Sequence, residues 1–326
     1  MNETTLGANI LSGLITEAQN ATTSASHTRP GFDEPTSYFE KPAASFGTVN
    51  LNASYLPRLL AKDGNLSTAP LDVIQTMGGE RLTLSAAILK LSRVASVGSH
   101  IIVREDPNQA LPTGRDGLIS LVSVAKFFNT IESAPFITIA NDSDITASLL
   151  PVSRDQIVWD NSLNKAVRFE IKRKDITHIG NEVFVAEIML SLIMGLARAA
   201  DEILLNRIIE SLPAEFDPSL VATQGLRFPE LSAMIGTNGT GAFVTANGEL
   251  VAKPNISGWA GGIHAELTGD IDQTIIGAFN RSAVAIHENI SITCERRNLQ
   301  GDLVVTAYAN MVALMPDPSK FWTVAG

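Results

Sequence analysis

Residues 182–213 read EVFVAEIMLSLIMGLARAADEILLNRIIESLP, and this run decides how the rest of the chain is interpreted. Its first half is apolar on nearly every helical face. Its second half carries charged residues at intervals, namely Arg198, Asp201, Glu202, Arg207 and Glu210. Pro213 disfavours helical backbone at the residue before it. The run therefore predicts one helix from about Glu182 to Leu212, about 45 Å long, whose first half is buried on several sides.

A membrane span is the alternative interpretation of the apolar half, because a span needs about 20 apolar residues. The best window, residues 183–200, is interrupted by Glu187 and is closed by Arg198 and Asp201. Charges at those positions favour a helix buried in protein.

The residues before this helix alternate with a period of two, which is typical of strands with one buried face. The apolar positions are Ile145, Ala147 and Leu149 in one run and Val167, Phe169 and Ile171 in the next. The second run alternates with Arg168, Glu170 and Lys172. The pattern predicts a long β-hairpin over about 136–176, with one apolar and one charged face.

Residues 1 to about 135 do not have the pattern of a compact domain. An amphipathic start is followed by a stretch rich in Ser, Thr and Pro, in which prolines forbid a long helix. The stretch also carries Phe32, Tyr38 and Phe39, too apolar for a free linker, so we expect it to lie along another surface. Helical spacing further predicts helices over about 82–94 and 118–128.

The last third of the chain predicts a small mixed region followed by strands. Residues 213–262 are rich in Gly, Asn and Pro, with hairpin turn signals at Asn238-Gly239 and Asn247-Gly248. Alternation around Cys294 and over 303–308 predicts two closing strands, and Pro316 ends the second run.

Composition narrows the functional classes. The chain has 326 residues, a net charge of −10 and 45% hydrophobic residues, which argues against a broad basic face for gripping nucleic acid. Cys294 is the only cysteine, so intramolecular disulfides are excluded. The first residues lack a basic segment followed by a long apolar one, so no signal peptide is predicted.

No catalytic, cofactor-binding or metal-binding residues are predicted. The run from Gly236 to Gly241 has the glycines of a phosphate loop but lacks the following Lys-Ser/Thr, so turn chemistry is favoured. The five histidines have no metal-ligand spacing. Asp270 and Asp272 have the spacing of an acid/base pair, although an aspartate in a turn is commoner.

Two stretches carry a resemblance to a known family. One runs from Gly269-Asp270-Ile271-Asp272 to Asp317-Pro318-Ser319-Lys320-Phe321, and the other is the helix entering Ala199-Ala200-Asp201-Glu202. With the order of elements derived above, they make residues from about 140 to 326 resemble the major capsid proteins of tailed bacteriophages, whose fold encapsulins and herpesvirus capsid floor domains share.

The resemblance implies an α+β capsid fold with an N-terminal arm, an extended β-hairpin loop, a peripheral domain with a long spine helix, and an axial domain. The implied boundaries are 1–135 for the arm and added helices, 136–180 for the extended loop, 181–212 with 286–326 for the peripheral domain, and 213–285 for the axial domain.

The function that the resemblance implies is structural, without catalysis or cofactors. Hexamers and pentamers of the chain would form an icosahedral shell around double-stranded DNA, without sequence-specific binding or membrane contact. A separate scaffolding protein, a portal and decoration proteins are the implied partners. The implied location is the virion, with assembly in the host cytoplasm. An encapsulin-type compartment and an unrelated α/β enzyme stay open as alternatives.

Eight residues are candidates for contacts between subunits. Four are the cations of the predicted hairpin, and four are aromatic residues of the arm and of the loop before the second strand: Arg168, Lys172, Arg173, Lys174, Phe32, Tyr38, Phe39 and Trp159. A solvated strand face is the alternative interpretation of the cations.

Overall fold

The computed structural model describes residues 6–20, 25–28, 35–38, 45–50, 91–104, 111–112, 119–120, 127–134, 136–138, 147–159, 164–179, 181–236, 242–244, 250–252, 263–287, 289–298 and 301–324. The predicted α+β class is confirmed. The described helices are α1 (Leu6–Asn20), α2 (Arg93–Ser96), α3 (Arg173–Ile179), α4 (Asn181–Glu210) and α5 (Pro218–Thr223).

The described strands run from the N-terminal segment to the end of the chain. They are β1 (Ala25–Thr28), β2 (Pro35–Tyr38), β3 (Ser45–Asn50), β4 (His100–Arg104), β5 (Leu111–Pro112), β6 (Ile119–Ser120), β7 (Phe127–Ile131), β8 (Val152–Gln156), β9 (Asn164–Ile171), β10 (Ser232–Ile235), β11 (Ala242–Val244), β12 (Leu250–Ala252), β13 (His264–Leu267), β14 (Thr274–Gly277), β15 (Ala283–His287), β16 (Asn289–Arg296), β17 (Leu303–Leu314) and β18 (Phe321–Val324).

The main sheet is built around the long strand β17. Residues 303–308 of β17 pair with β16 and also with β9, so those two strands lie on opposite sides of β17. The far end of β17 pairs with β15, β4 runs parallel to β15, and β3 pairs with β16. Alternate residues of β17 face the core, as the buried Leu303, Val305 and Met311 show.

The predicted long helix is confirmed as α4, which packs against β17. The buried residues of α4 extend from Phe184 to Ile208, and most of them join the main core cluster. The helix ends where Leu212 adopts a positive φ of 52° directly before Pro213.

One buried carboxylate fastens the short helix α2 to α4. Asp201 of α4 is 2% exposed and accepts hydrogen bonds from the Ser92 hydroxyl (2.6 Å) and from the backbone N–H groups of Arg93 and Val94 (3.1 Å each). Burial raises the pKa of Asp201, although these donors and the Arg93 charge act in the opposite direction.

A second, smaller sheet has the strand order β13-β10-β14-β18. Two chain crossings connect it to the main sheet. One leads from β14 through the turn Phe279–Arg281 into β15, and the other leads from β17 through the turn Pro318–Lys320 into β18. Gly277 is required at the first crossing, because an added Cβ would lie 2.4 Å from the Phe321 ring.

The N-terminal helix belongs to the body of the molecule. Leu11, Leu14, Ile15 and Ala18 recur at helical spacing and are buried in the core shared with α4 and β16. The amphipathic start is therefore confirmed, but it packs against its own subunit. Tyr38 ends β2, while Phe32 and Phe39 lie outside the described residues.

The pairing predicted for the hairpin over 136–176 is wrong. The strand containing Val167 and Phe169 forms as β9, but it pairs with β17, and residues 147–150 form no strand. The actual hairpin joins β7 to β8, from Phe127↔Gln156 to Ile131↔Val152. Alternation identifies a strand but carries no information about a partner more than 130 residues away.

One further prediction is corrected. The helix predicted over 118–128 is wrong where the chain is described, since 119–120 and 127–131 are strands. Within residues 286–326, which stay a proposed part of the peripheral domain, β18 pairs with β14 of the smaller sheet. Strand β11 pairs antiparallel with β12, and the turn predicted between them at Asn247-Gly248 lies outside the described residues. The turn at Asn238-Gly239 and residues 82–90 lie outside the described residues.

Candidate assembly surface

The base of the β7–β8 hairpin is anchored on the main sheet by apolar contacts. Phe128, Ile157 and Trp159 pack against a cluster of small and aliphatic side chains on β15 and β17, which are Ala283, Ala285, Val312 and Leu314. The Trp159 ring meets His287 edge-on, with centroids 5.2 Å apart. These contacts fix where the hairpin leaves the body.

Polar contacts reinforce the same anchor. Asp155 of β8 accepts a hydrogen bond of 2.7 Å from the backbone N–H of Met315, just beyond β17. Glu132, directly after β7, forms ion pairs with Arg281 and with Lys320, the latter at 3.4 Å. The hairpin therefore leaves the body in a defined direction.

Beyond this base, the hairpin exposes apolar side chains instead of burying them. Phe136 is fully exposed, Leu149 is 94% exposed and Leu150 is 74% exposed. Ile131 and Ile137 are exposed as well. We call residues 136–137 and 149–150 the apolar tip, whereas Ile131 lies in β7 beside the anchoring residue Glu132.

Four large apolar side chains exposed within one hairpin are typical of an interaction surface, whereas single exposed leucines are ordinary. Sequence reasoning missed these residues because it assigned Leu149 to the buried face of the wrong hairpin. The signal that could have found the tip is the sequence of two short apolar runs, Phe136-Ile137 and Leu149-Leu150, each next to a proline.

The cations proposed from the sequence lie elsewhere, on β9 and at the start of α3. Arg168 lies 3.9 Å from Glu295, and Lys172 lies 2.8 Å from Glu170 and 3.6 Å from Asp302. The structure thus places these two cations in ion pairs within their own subunit. It does not bring them together with the apolar tip.

The other two cations, Arg173 and Lys174, are the first residues of α3. The backbone N–H of Arg173 donates to Asp302 at 3.1 Å, and Asn298 donates to the same carboxylate at 2.8 Å. These donors lower the pKa of Asp302, helped by the charge of Lys172. Lys174 is exposed.

Three residues that the sequence analysis considered as possible functional sites have contacts typical of structural residues. Asp270 accepts from the Thr268 hydroxyl at 3.1 Å and pairs with Arg198 at 3.1 Å, as a turn residue does. An added Cβ at Gly236 would meet the carbonyl of Gln273 at 2.5 Å, so close backbone approach explains that glycine. Burial raises the pKa of Cys294 to about 12.

Within the part of the chain that the structure describes, three or more His, Cys, Asp or Glu side chains nowhere meet in a group suited to a metal ion. No described helix is long and apolar enough to cross a membrane.

Comparison with known proteins finds similarity in structure alone. No family model matches the chain, and no curated protein matches it. Among solved structures, it is similar to the capsid of an empty GTA particle, with 10% identity and a TM-score of 0.47 over 76% of this chain and 91% of the other.

Two further structures of the same kind are similar to the chain. The mature capsid of bacteriophage PhiM1 shares 9% identity, with a TM-score of 0.41 over 72% of this chain and 86% of that one. A virus-like particle from Pyrococcus furiosus shares 8% identity, with a TM-score of 0.41 over 74% and 98%.

Proposed function

We propose that this chain is the shell-forming subunit of a virion capsid, with a structural and not a catalytic role. The apolar tip is the observation that carries this proposal. In a monomer, Phe136 and Leu149 stay in water, and their apolar side chains contribute nothing to its stability. A neighbouring subunit that covered them would gain the free energy of apolar burial.

The anchor of the hairpin supports the same function. A flexible apolar loop would lose conformational entropy on binding, which weakens association. Here Phe128, Ile157 and Asp155 already hold the base on the main sheet. The tip is therefore presented in advance to a partner, and repetition of one modest contact around a closed lattice gives cooperative assembly.

The finer proposal follows the resemblance given above. The subunits form hexamers and pentamers of an icosahedral shell that encloses double-stranded DNA, assembled in the host cytoplasm with a separate scaffolding protein, a portal and decoration proteins. Arg168, Lys172, Arg173, Lys174 and Trp159 remain proposed contacts between subunits. So do Phe32, Tyr38 and Phe39.

The test removes the apolar character of the tip without touching its base. In the double variant Leu149→Ser/Leu150→Ser, we expect a folded subunit that no longer forms shells, as seen by sedimentation and by negative-stain electron microscopy. Leu212→Ser is the matched control, because Leu212 is 86% exposed but lies after α4. Shells formed by the double variant in wild-type yield would refute the role of the tip.

A second measurement separates the proposed capsid from the encapsulin-type compartment. Particles purified from the natural source should contain double-stranded DNA, detected by nuclease-resistant absorbance and by sequencing after disruption. Particles that contain one enzyme and no DNA would establish the compartment.

A further inference from the structure

The two chain crossings between the sheets each carry one cation. Arg281 ends the turn Phe279–Arg281 between β14 and β15, and Lys320 ends the turn Pro318–Lys320 between β17 and β18. The two crossings touch directly, because the backbone N–H of Ala278 donates to the carbonyl of Lys320 at 3.1 Å. The main sheet and the smaller sheet are therefore joined by two crossings that lie side by side.

Both cations meet the same carboxylate of the hairpin. Glu132 pairs with Arg281 and with Lys320, the latter at 3.4 Å. Arg281 also pairs with Glu230 at 3.2 Å, and Lys320 with Asp317 at 3.6 Å. Among the described residues, Glu132 is the carboxylate common to both cations, and it alone of the three comes from the hairpin.

The two cations of this cluster are largely buried, whereas the side chain of Glu132 is 28% exposed. The side chain of Lys320 is 4% exposed, and that of Arg281 is 17% exposed. Lys320 also donates to the carbonyl and to the side-chain oxygen of Gln224, at 2.9 and 3.1 Å. Salt screens pairs of buried cations weakly, and loss of Glu132 would leave Arg281 with Glu230 and Lys320 with Asp317.

Two buried polar atoms at the base of the hairpin lack a hydrogen-bond partner among the described residues. Within the described part of the chain, the hydroxyl oxygen of Thr130 and the indole nitrogen of Trp159 are buried without a hydrogen-bond partner. Both residues belong to the hairpin, one in β7 and one just after β8. Unpaired buried polar atoms cost free energy, which lowers the energy required for the hairpin to shift.

We propose that Glu132 is a clamp that couples the direction of the hairpin to the angle between the two sheets. Movement of the hairpin withdraws one carboxylate from both crossings at once and frees the smaller sheet to rotate. The coupling works in both directions, as thermodynamic linkage requires. The proposal rests on the proposed function only in taking the apolar tip as the part that a neighbouring subunit displaces.

The test measures hydrogen exchange in the unassembled subunit, so that it does not depend on shells. In Glu132→Gln, we expect exchange of the Ala278 amide, which joins the two crossings, to become at least fivefold faster. The Glu132 amide, which donates to Pro151 at 2.9 Å, should exchange faster as well. Glu266→Gln in β13 is the matched control and should change neither amide more than twofold.

The reverse arm tests the coupling itself. In Lys320→Met, or in Arg281→Gln if the buried lysine variant does not fold, the hairpin amide of Glu132 should exchange at least fivefold faster. Faster exchange of the hairpin alone in Glu132→Gln, with Ala278 unchanged, would overturn the coupling, as would no change in either amide. Neither result would contradict the proposed function, because the serine variants of the apolar tip test that function separately.

Discussion

The N-terminal helix provides the most quantitative test of this structure. Leu11 and Ile15 of α1 are fully buried in the core that α1 shares with α4 and β16. Truncation of a buried leucine costs about 2–5 kcal/mol, because transfer free energy is lost and a cavity remains. We therefore expect Leu11→Ala to lower the free energy of unfolding by about 2–5 kcal/mol, and Ile15→Val by about 0.5–1.5 kcal/mol.

Thermal and urea unfolding of the unassembled subunit measure this effect. At about 2.1 cal/mol/K of unfolding entropy per residue, the 326-residue chain should lose roughly 1.5 °C of Tm per kcal/mol, so about 3–7 °C for Leu11→Ala. Glu17→Ala, on the exposed face of the same helix, should cost less than about 0.5 kcal/mol. If Leu11→Ala costs no more than Glu17→Ala, α1 is a detachable arm and not part of the body.

Three other outcomes follow. Because burial raises the pKa of the Cys294 thiol to about 12, this thiol should react with a disulfide reagent only after unfolding, in a time course that matches loss of circular dichroism. Because burial raises the pKa of Asp201 in the folded state, the folded state binds a proton on this carboxylate more tightly than the unfolded state does. Relative to Asp201→Asn, wild type should therefore lose stability as pH rises from 3.8 through that pKa, measured by urea titration. The triple variant Arg168→Glu/Lys172→Glu/Lys174→Glu should fold but form shells only at raised salt, and normal shells at low salt would show that these charges are merely solvated.

Local patterns predicted the parts of the fold that local physics determines. The helix α4 could be predicted because its apolar residues cover several faces and Pro213 marks its end. The strands β16 and β17 could be predicted because alternate residues such as Ile292 and Val305 face one core. Each of these signals lies within one element and requires no knowledge of its partner.

Pairing over long separations could not be predicted in the same way. The alternation of Val167 and Phe169 fits any partner that offers an apolar face, and the chain used β17 in preference to the nearby 145–149. The contacts of Glu132 with Arg281 and Lys320 span 149 and 188 residues, and no spacing rule connects them. These contacts exist only once both sheets are formed.

The helix predicted over 118–128 shows how one pattern can mislead. Leu118, Leu121 and Phe128 have helical spacing, but Phe127 and Phe128 lie in β7 and alternate between exposed and half-buried positions. Phe128 reaches the main sheet, where Trp159 from the other arm of the hairpin also packs. Tertiary contact at the base of the hairpin decided its conformation against local preference.

The two proposed contact surfaces differ in what a neighbouring subunit would have to replace. Arg168 and Lys172 already pair with Glu295 and Glu170 inside their own subunit. A new ion pair across an interface would replace one of these pairs, so the free energy gained is only the difference between the new pair and the old one. Exposed pairs contribute about 0–1 kcal/mol each, and that difference is smaller still. Leu149 has no such contact to give up, since it is 94% exposed, and its burial gains about 1.5–3 kcal/mol. Each subunit carries a net charge of −10, so long-range electrostatics oppose association. In the proposed shell, the apolar tip would therefore supply most of the driving force for assembly, and the charges on β9 would select the register in which neighbours meet.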